Sequence, residues 1–251
     1  MAISDAMQTL ERELREVFGS RLQSLVIYGQ RAHARRHAQG EAQNAQAAPA
    51  HDAPPTRTLA VVESMTPEDL RACAGRVEAW HDAGLATPLL IAANEFDQSL
   101  DVFPLEFGAI LADHTVVAGA NPFAALAVDA ADVRRACEVQ ARSHLLHLRE
   151  GYLETRGRAD ALAVLIVQSA AAFASLITSI ARLEGHATDE VASAARHVER
   201  IVGMPGGAVT EVTALVGVHE IASAAAERLF GPYLDAVNRL VQYVDGWSDG
   251  R

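Results

Sequence analysis

Two short apolar runs in the first quarter of the chain predict a pair of β-strands. Residues 22–28 read Leu-Gln-Ser-Leu-Val-Ile-Tyr and lead into Gly29, and residues 59–62 read Leu-Ala-Val-Val and end at Glu63. Apolar runs of about four to eight residues, bounded by turn residues, are typical of buried strands. A strand followed by a tight glycine turn and a helix start often forms a phosphate site, because backbone N–H groups there suit an anion.

Similar patterns predict the other elements of the first half. Apolar residues three and four apart predict a helix within residues 1–20, and the runs at 89–92 and 114–119 predict a third and a fourth strand. Thr66 is a typical N-cap, so a helix is predicted from there to Gly84. The predicted inward face of that helix consists of Leu70, Cys73, Ala74, Val77 and Trp80.

Beyond Asn121-Pro122 the periodicity predicts only helices, at about 130–150, 159–183, 187–202, 209–229 and 232–246. Gly231-Pro232 separates the last two in this prediction. The stretch 161–181 has no charged residue and approaches the length of a membrane span. Its Ser, Thr and Gln residues and its helical period favour the central helix of a soluble bundle.

These elements predict an α+β fold with two domains. Residues 1–125 form a small mixed β-sheet with helices, and residues 126–251 form an α-helical bundle. The segment 32–57 is rich in Ala, His, Gln and Arg, ends in prolines and lacks an apolar period. We therefore expect it to be a mobile surface loop.

The charge and residue usage exclude several classes of function. The net charge is -11, with 32 acidic residues against 21 basic ones, and without a dense basic patch we expect no nucleic-acid partner. Every basic residue other than histidine is arginine, which excludes a lysine Schiff base and a phosphate-loop lysine. Cys73 and Cys137 lie on apolar helical faces without zinc spacing. They predict buried, reduced thiols and a cytoplasmic protein that does not enter a membrane.

Three residues of the first bundle helix have a spacing that suits metal ligands. His144, His147 and Glu150 follow each other at intervals of three, which brings side chains to one side of a helix. The order His-Glu-x-x-His of zinc proteases is missing. We therefore assign no metal site to the chain.

The run 25–32, Leu-Val-Ile-Tyr-Gly-Gln-Arg-Ala, resembles the first motif of the nucleotidyltransferase superfamily, which has the polymerase-beta-like fold. That motif is an apolar strand, then Gly-Ser, then a helix. The order of a small mixed sheet and a helical bundle is also similar to the kanamycin-nucleotidyltransferase-like members. The resemblance implies that Gly29, Gln30 and Arg31 contact a nucleotide or another anionic small molecule.

The chain departs from this family at its catalytic positions. Gln30 replaces the serine that helps to hold a phosphate. Active members carry Asp-x-Asp at the start of the second strand, where two divalent ions bind and neutralise the transferring phosphoryl group. The matching positions fall near 56–58, Thr-Arg-Thr, without a carboxylate pair. We therefore expect a pseudoenzyme without cofactor that binds a ligand or partner between the two domains.

Two alternatives stay open at this point. In the first, the chain is an active nucleotidyltransferase that moves a nucleoside monophosphate to a small molecule or protein. Its rearranged Mg²⁺ site would then use Glu63 with one or more of Asp97, Asp101 and Glu106. In the second, the protein is structural: the apolar bundle is a homodimer interface or an antitoxin-like docking surface for a helical partner.

Overall fold

A computed structural model describes residues 5–29, 55–124, 126–188, 190–204 and 206–247, without the side chains of residues 97 and 101. The chain forms two compact units, Met1–Val128 and Asp129–Arg251. Most of the predicted loop, and the residues Gln30 and Arg31, lie outside the described residues.

Unit 1 contains a mixed four-stranded sheet with the order β3-β2-β1-β4 in its described part. Strand β1 (Leu22–Tyr28) runs antiparallel to both β2 (Arg57–Val62) and β4 (His114–Gly119). Strand β3 (Leu89–Ala92) runs parallel to β2. The predicted α+β class with a small mixed sheet is confirmed.

Both faces of the sheet are covered, which explains why its central strands are apolar runs. On one face Leu25 and Ile27 pack against helix α1 (Asp5–Phe18). On the other face Val26 packs in a cluster with residues of the helices that follow β3. These helices are α4 (Ala93–Val102) and α5 (Pro104–Ala112).

The predicted helix after Thr66 is wrong in its length and in part of its buried face. It consists of two short helices, α2 (Pro67–Ala74) and α3 (Val77–Asp82), with a break at Gly75-Arg76. Cys73 and Trp80 are buried as predicted, but Leu70 is 47% exposed and Ala74 is exposed. The break lets α3 turn its Trp80 inward independently of α2.

An ion pair explains the orientation of α2. Arg21 donates two hydrogen bonds to Asp69, with Nη1–Oδ2 at 2.7 Å and Nη2–Oδ1 at 2.8 Å. The same carboxylate accepts from the Thr66 backbone N–H, and the Asp69 N–H donates to the Thr66 hydroxyl. This is a capping box. Because Arg21 pulls Asp69 inward, Leu70 next to it faces outward. The guanidinium also holds the pKa of Asp69 well below its usual range.

The last residues of the predicted loop 32–57 belong to the sheet instead. Arg57 is the first residue of β2, and Thr56 forms a parallel bridge with Leu85. The backbone N–H of Thr56 donates to the Gly84 carbonyl at 2.9 Å. Cross-strand pairing therefore extends β2 beyond its apolar run.

Unit 2 is a helical bundle, as predicted. Its described helices are α6 (Ala130–Glu154), α7 (Ala159–Leu183), α8 (Val191–Val202), α9 (Ala208–Thr213) and α10 (Ser223–Asp245). Helix α7 packs against α6, α8, α9 and α10, so the charge-free stretch is the central helix of the bundle. By length and composition alone, α7 is the one helix among the described residues that also suits a membrane span.

The predicted break at Gly231-Pro232 is wrong, because α10 runs through it. A proline inside a helix removes one backbone hydrogen bond at a cost of about 3 kcal/mol or more. Burial of the apolar side chains on both sides offsets that cost. Those side chains are Ala226, Leu229, Phe230, Tyr233, Ala236, Val237, Leu240, Val241 and Val244.

We expect Asp69→Asn to lower the melting temperature of the protein, because Asn accepts only one of the two Arg21 hydrogen bonds and carries no charge. The matched control is Glu68→Gln, since Glu68 pairs with Arg71 where both side chains are 71% exposed. Thermal unfolding followed by circular dichroism measures both variants. Equal melting temperatures for the two variants would contradict the role of Asp69.

Candidate functional site

The backbone at Gly29 brings three strands of unit 1 together. Tyr28, the last residue of β1, pairs with Arg57 of β2 on one side and with His114 of β4 on the other. Gly29 has φ +72°, and its N–H donates to the Asp113 carbonyl at 3.0 Å. This N–H is therefore already engaged.

Arg57 places a positive charge over this turn. Its Cζ lies 5.7 Å from the centroid of the Tyr28 ring, within the range of a cation–π contact. A Cβ built on Gly29 would lie 3.5 Å from the Arg57 Nη2 atom. Arg57 is exposed and forms no ion pair with any carboxylate in the described part of the chain. No carboxylate of the described ranges therefore competes with an anion for this guanidinium.

Two further polar residues follow Arg57 across the sheet, Tyr28 beside it and His114 one strand further. Burial raises the pKa of Tyr28, an effect that Arg57 partly offsets, so the phenol stays protonated near neutral pH and can donate a hydrogen bond. The His114 Nδ1 atom lies 3.1 Å from the Leu111 carbonyl oxygen. Because that oxygen only accepts, Nδ1 is the donor in this hydrogen bond.

The charge at this position decides which ion it suits. The residue that pairs with Tyr28 on this side of the turn is Arg57, so a guanidinium lies beside Gly29. A guanidinium repels a divalent cation and matches phosphate or carboxylate oxygens. We name this arrangement of Tyr28, Gly29, Arg57 and His114 the Gly29 site.

The alternative carboxylates lie elsewhere. Glu63 follows β2 at the end where Val62 pairs with Leu22, whereas Gly29 follows the opposite end of β1. A ladder of six residues at about 3.4 Å per residue separates the two ends by about 20 Å. Glu63 is exposed, and its backbone N–H donates to the Arg21 carbonyl at 2.8 Å. Glu63 and the Gly29 site therefore do not form one site.

The remaining predicted site residues have less structural detail. Glu106 is exposed in the first turn of α5, and Asp97 and Asp101 belong to α4 but their side chains lie outside the described part. Gln30 and Arg31 are outside it as well. Within the described ranges, three or more His, Cys, Asp or Glu residues nowhere form a group able to hold a metal ion.

Unit 2 has a buried polar cluster that the sequence only partly indicated. The His144 Nε2 atom lies 2.6 Å from the Tyr233 hydroxyl, which lies 3.0 Å from the Ser169 hydroxyl. His147 is exposed, and its Nδ1 atom lies 3.4 Å from a carboxylate oxygen of Glu150. The three residues with metal-like spacing are thus divided between the core and the surface.

Burial keeps this cluster neutral. It lowers the pKa of His144 to about 4, with a smaller contribution from His147, and it raises the pKa of Tyr233. The His144 ring also stacks on Phe173 with the centroids 5.2 Å apart. A neutral, hydrogen-bonded group inside an apolar bundle fixes how the helices pack.

The sequence alone did not reveal which residues lie beside Arg57 at the Gly29 site or beside His144 in the buried cluster of unit 2. Tyr28 and His114 join Arg57 through strand pairing, and Tyr233 reaches His144 across 89 positions of the chain. Of these residues, only Tyr28 could be linked to the site from the sequence, because it directly precedes Gly29.

Comparison with known proteins gives no match: no protein-family model fits the chain, and a search of curated proteins finds no similar sequence. The function is therefore argued from the geometry of the described residues.

The ordinary pKa of a histidine is about 6.5, and the pKa of His144 in the folded chain is about 4. We therefore expect the stability of unit 2 to fall as the pH drops from about 6.5 towards about 4. In this window the unfolded chain binds a proton that the folded chain does not, which costs at most about 1.4 kcal/mol per pH unit. His144→Gln should reduce this dependence in denaturant unfolding measured at pH 7 and pH 5.

The exposed His147 provides the control for this experiment, because His147→Gln should keep the dependence. If both variants show the same pH dependence of stability as the unmodified chain, His144 is not the source of that dependence.

Proposed function

We propose that this protein is a nucleotidyltransferase-like pseudoenzyme that binds a phosphate-bearing anion, such as a nucleotide, at the Gly29 site. Among the described residues, no carboxylate pairs with the Arg57 guanidinium above the Gly29 turn, and this is the observation that carries the proposal. An arginine presents several N–H donors in a fixed fork that suits two phosphate oxygens.

The surroundings of Arg57 support an anionic ligand in two further ways. Gly29 has no side chain, so a ligand can approach the turn beneath the guanidinium. The protonated Tyr28 phenol adds a neutral donor next to it. The Gly29 N–H already donates to the backbone carbonyl of Asp113, so side chains rather than that amide hold the ligand.

The same geometry argues for binding without transfer. Two-metal phosphoryl transfer needs carboxylates that hold the cations on the phosphate oxygens. A guanidinium in that place supplies positive charge but no metal ligand. Each lost ~1.4 kcal/mol of transition-state stabilisation slows a reaction tenfold. We therefore propose a cytoplasmic binding protein rather than an active nucleotidyltransferase.

Arg57→Gln should weaken the binding of ATP and of inorganic pyrophosphate. A hydrogen bond to a charged group contributes about 1.5 to 3 kcal/mol, which corresponds to a Kd about 10- to 100-fold higher. Isothermal titration calorimetry in the presence of EDTA measures this loss without a metal ion. Arg71→Gln is the matched control, because Arg71 is exposed and pairs with Glu68. Arg31→Ala should weaken binding as well, if the sequence resemblance is correct.

A second measurement tests the absence of transfer. Incubation with Mg²⁺, nucleoside triphosphates and an aminoglycoside or protein acceptor should release no pyrophosphate. If pyrophosphate is released and Arg57→Gln abolishes the release, the protein is an active transferase and not a pseudoenzyme. If Arg57→Gln binds ATP and pyrophosphate with unchanged affinity, the Gly29 site is not the binding site.

A further inference from the structure

Two histidines stack on each other where the segment after helix α7 meets α8. The rings of His186 and His197 are nearly parallel, at 3°, and their centroids lie 4.4 Å apart. The His186 Nε2 atom also lies 3.0 Å from the Ser193 hydroxyl, and the His186 backbone N–H donates to the Ala181 carbonyl at 2.8 Å. These contacts attach residues 184–188 to α8. We name the two stacked rings the histidine pair.

One hydrogen bond fixes the protonation state of His197. Its Nδ1 atom lies 2.8 Å from Arg200 Nη2, and because a guanidinium only donates, Nδ1 must be unprotonated. The ring is therefore neutral, with its proton on Nε2. That nitrogen is buried and has no hydrogen-bond partner among the described residues, which costs free energy. A proton added to Nδ1 would remove the Arg200 hydrogen bond and place two positive charges side by side.

The surroundings of His197 oppose a positive charge on its ring. Partial burial lowers the pKa of His197, and His186 and Arg200 lower it further. Glu184, directly after α7, raises this pKa but contributes least. The stacked form of the histidine pair therefore binds a proton less readily than a free histidine does.

Charged side chains of the other helices that pack against α8 have different partners. Helices α7, α9 and α10 form these contacts. Arg182 of α7 acts on the thiol of Cys137. Glu211 of α9 lies 3.7 Å from Arg228 of α10, and Arg239 of α10 donates to the backbone carbonyl directly after α8. The protonation of the histidine pair therefore depends on its own segment and on α8.

Glu184 connects this segment to the end of α10. Its Oε1 atom accepts a hydrogen bond from the indole N–H of Trp247 at 3.0 Å. Trp247 follows directly after the C-cap of α10. Residues 184–188 thus link α7 and α8 to the end of α10.

We propose that the histidine pair is a pH-sensitive switch, which holds residues 184–188 on α8 at neutral pH and releases them, together with Trp247, in mildly acidic solution. Opening separates the two rings and gives the buried Nε2–H of His197 water as a partner. Because the open form binds a proton more readily than the closed form, each pH unit below about 6.5 favours opening by up to tenfold. The switch is independent of the Gly29 site, which belongs to unit 1.

Hydrogen exchange at pH 7 and pH 5 tests the local opening. Protection factors, which correct for the pH dependence of intrinsic exchange, should fall by up to about 30-fold in residues 184–188 of the unmodified chain. His197→Gln should remove this loss, because Gln can accept from Arg200 but gains no proton. The matched control is His219→Gln, at an exposed histidine of unit 2, which should keep the loss.

His144→Gln separates the local switch from the pH dependence of the bundle core. This variant should keep the loss of protection in residues 184–188, since His144 acts on the stability of the whole bundle. If His144→Gln removes that loss, or if His197→Gln retains it, the proposal is overturned. Equal protection of residues 184–188 at pH 7 and pH 5 in the unmodified chain overturns it as well.

The fluorescence of Trp247 reports the release of the α10 end. Trp80→Phe leaves Trp247 as the only tryptophan. Its emission should move to longer wavelengths between pH 7 and pH 5, because the indole loses Glu184 and becomes more exposed to water. Adding His197→Gln should abolish this change, and adding His219→Gln should not. Circular dichroism confirms that each variant is folded at both pH values, and an emission of folded Trp80→Phe that is independent of pH contradicts the release of Trp247.

Discussion

Burial of β1 on both faces, between two hydrogen-bonded neighbours, is the constraint on which unit 1 depends. A central strand with apolar residues on both sides can shift its register only by moving all of them, so the pairing is strongly specified. This register sets Arg57 opposite Tyr28 and sends Glu63 to the other end of the ladder. The Arg21–Asp69 pair then fixes α2 at that second end. The positions of charge around the sheet thus follow from the packing of its apolar core.

That arrangement gives the proposed function a physical basis. Beside the Gly29 turn, this chain has a guanidinium that lies over an aromatic ring. A guanidinium at this turn favours an anion over a divalent cation. A phosphate group still suits such a place, but a bound metal does not.

Unit 2 has the reverse distribution of polar and apolar groups on α6. Inside the bundle, His144 forms a neutral hydrogen-bonded group with Tyr233. Outside, Val139, Leu146 and Leu153 face solvent. A buried polar group makes one helical packing specific, because a shifted arrangement would leave it unsatisfied.

The sequence by itself determined the elements whose signals are local. Strands β1, β3 and β4 and helix α7 begin and end where their apolar runs meet turn residues or caps. Only the tertiary structure decided the exposure of Leu70, whose neighbour Asp69 pairs with an arginine 48 positions away. It also decided the continuity of α10 through Pro232, which burial stabilises. The Gly29 site has the same origin: its glycine was readable, but Arg57 and His114 joined it through strand pairing. Such pairings depend on contacts between distant residues, and local patterns do not encode which strands meet.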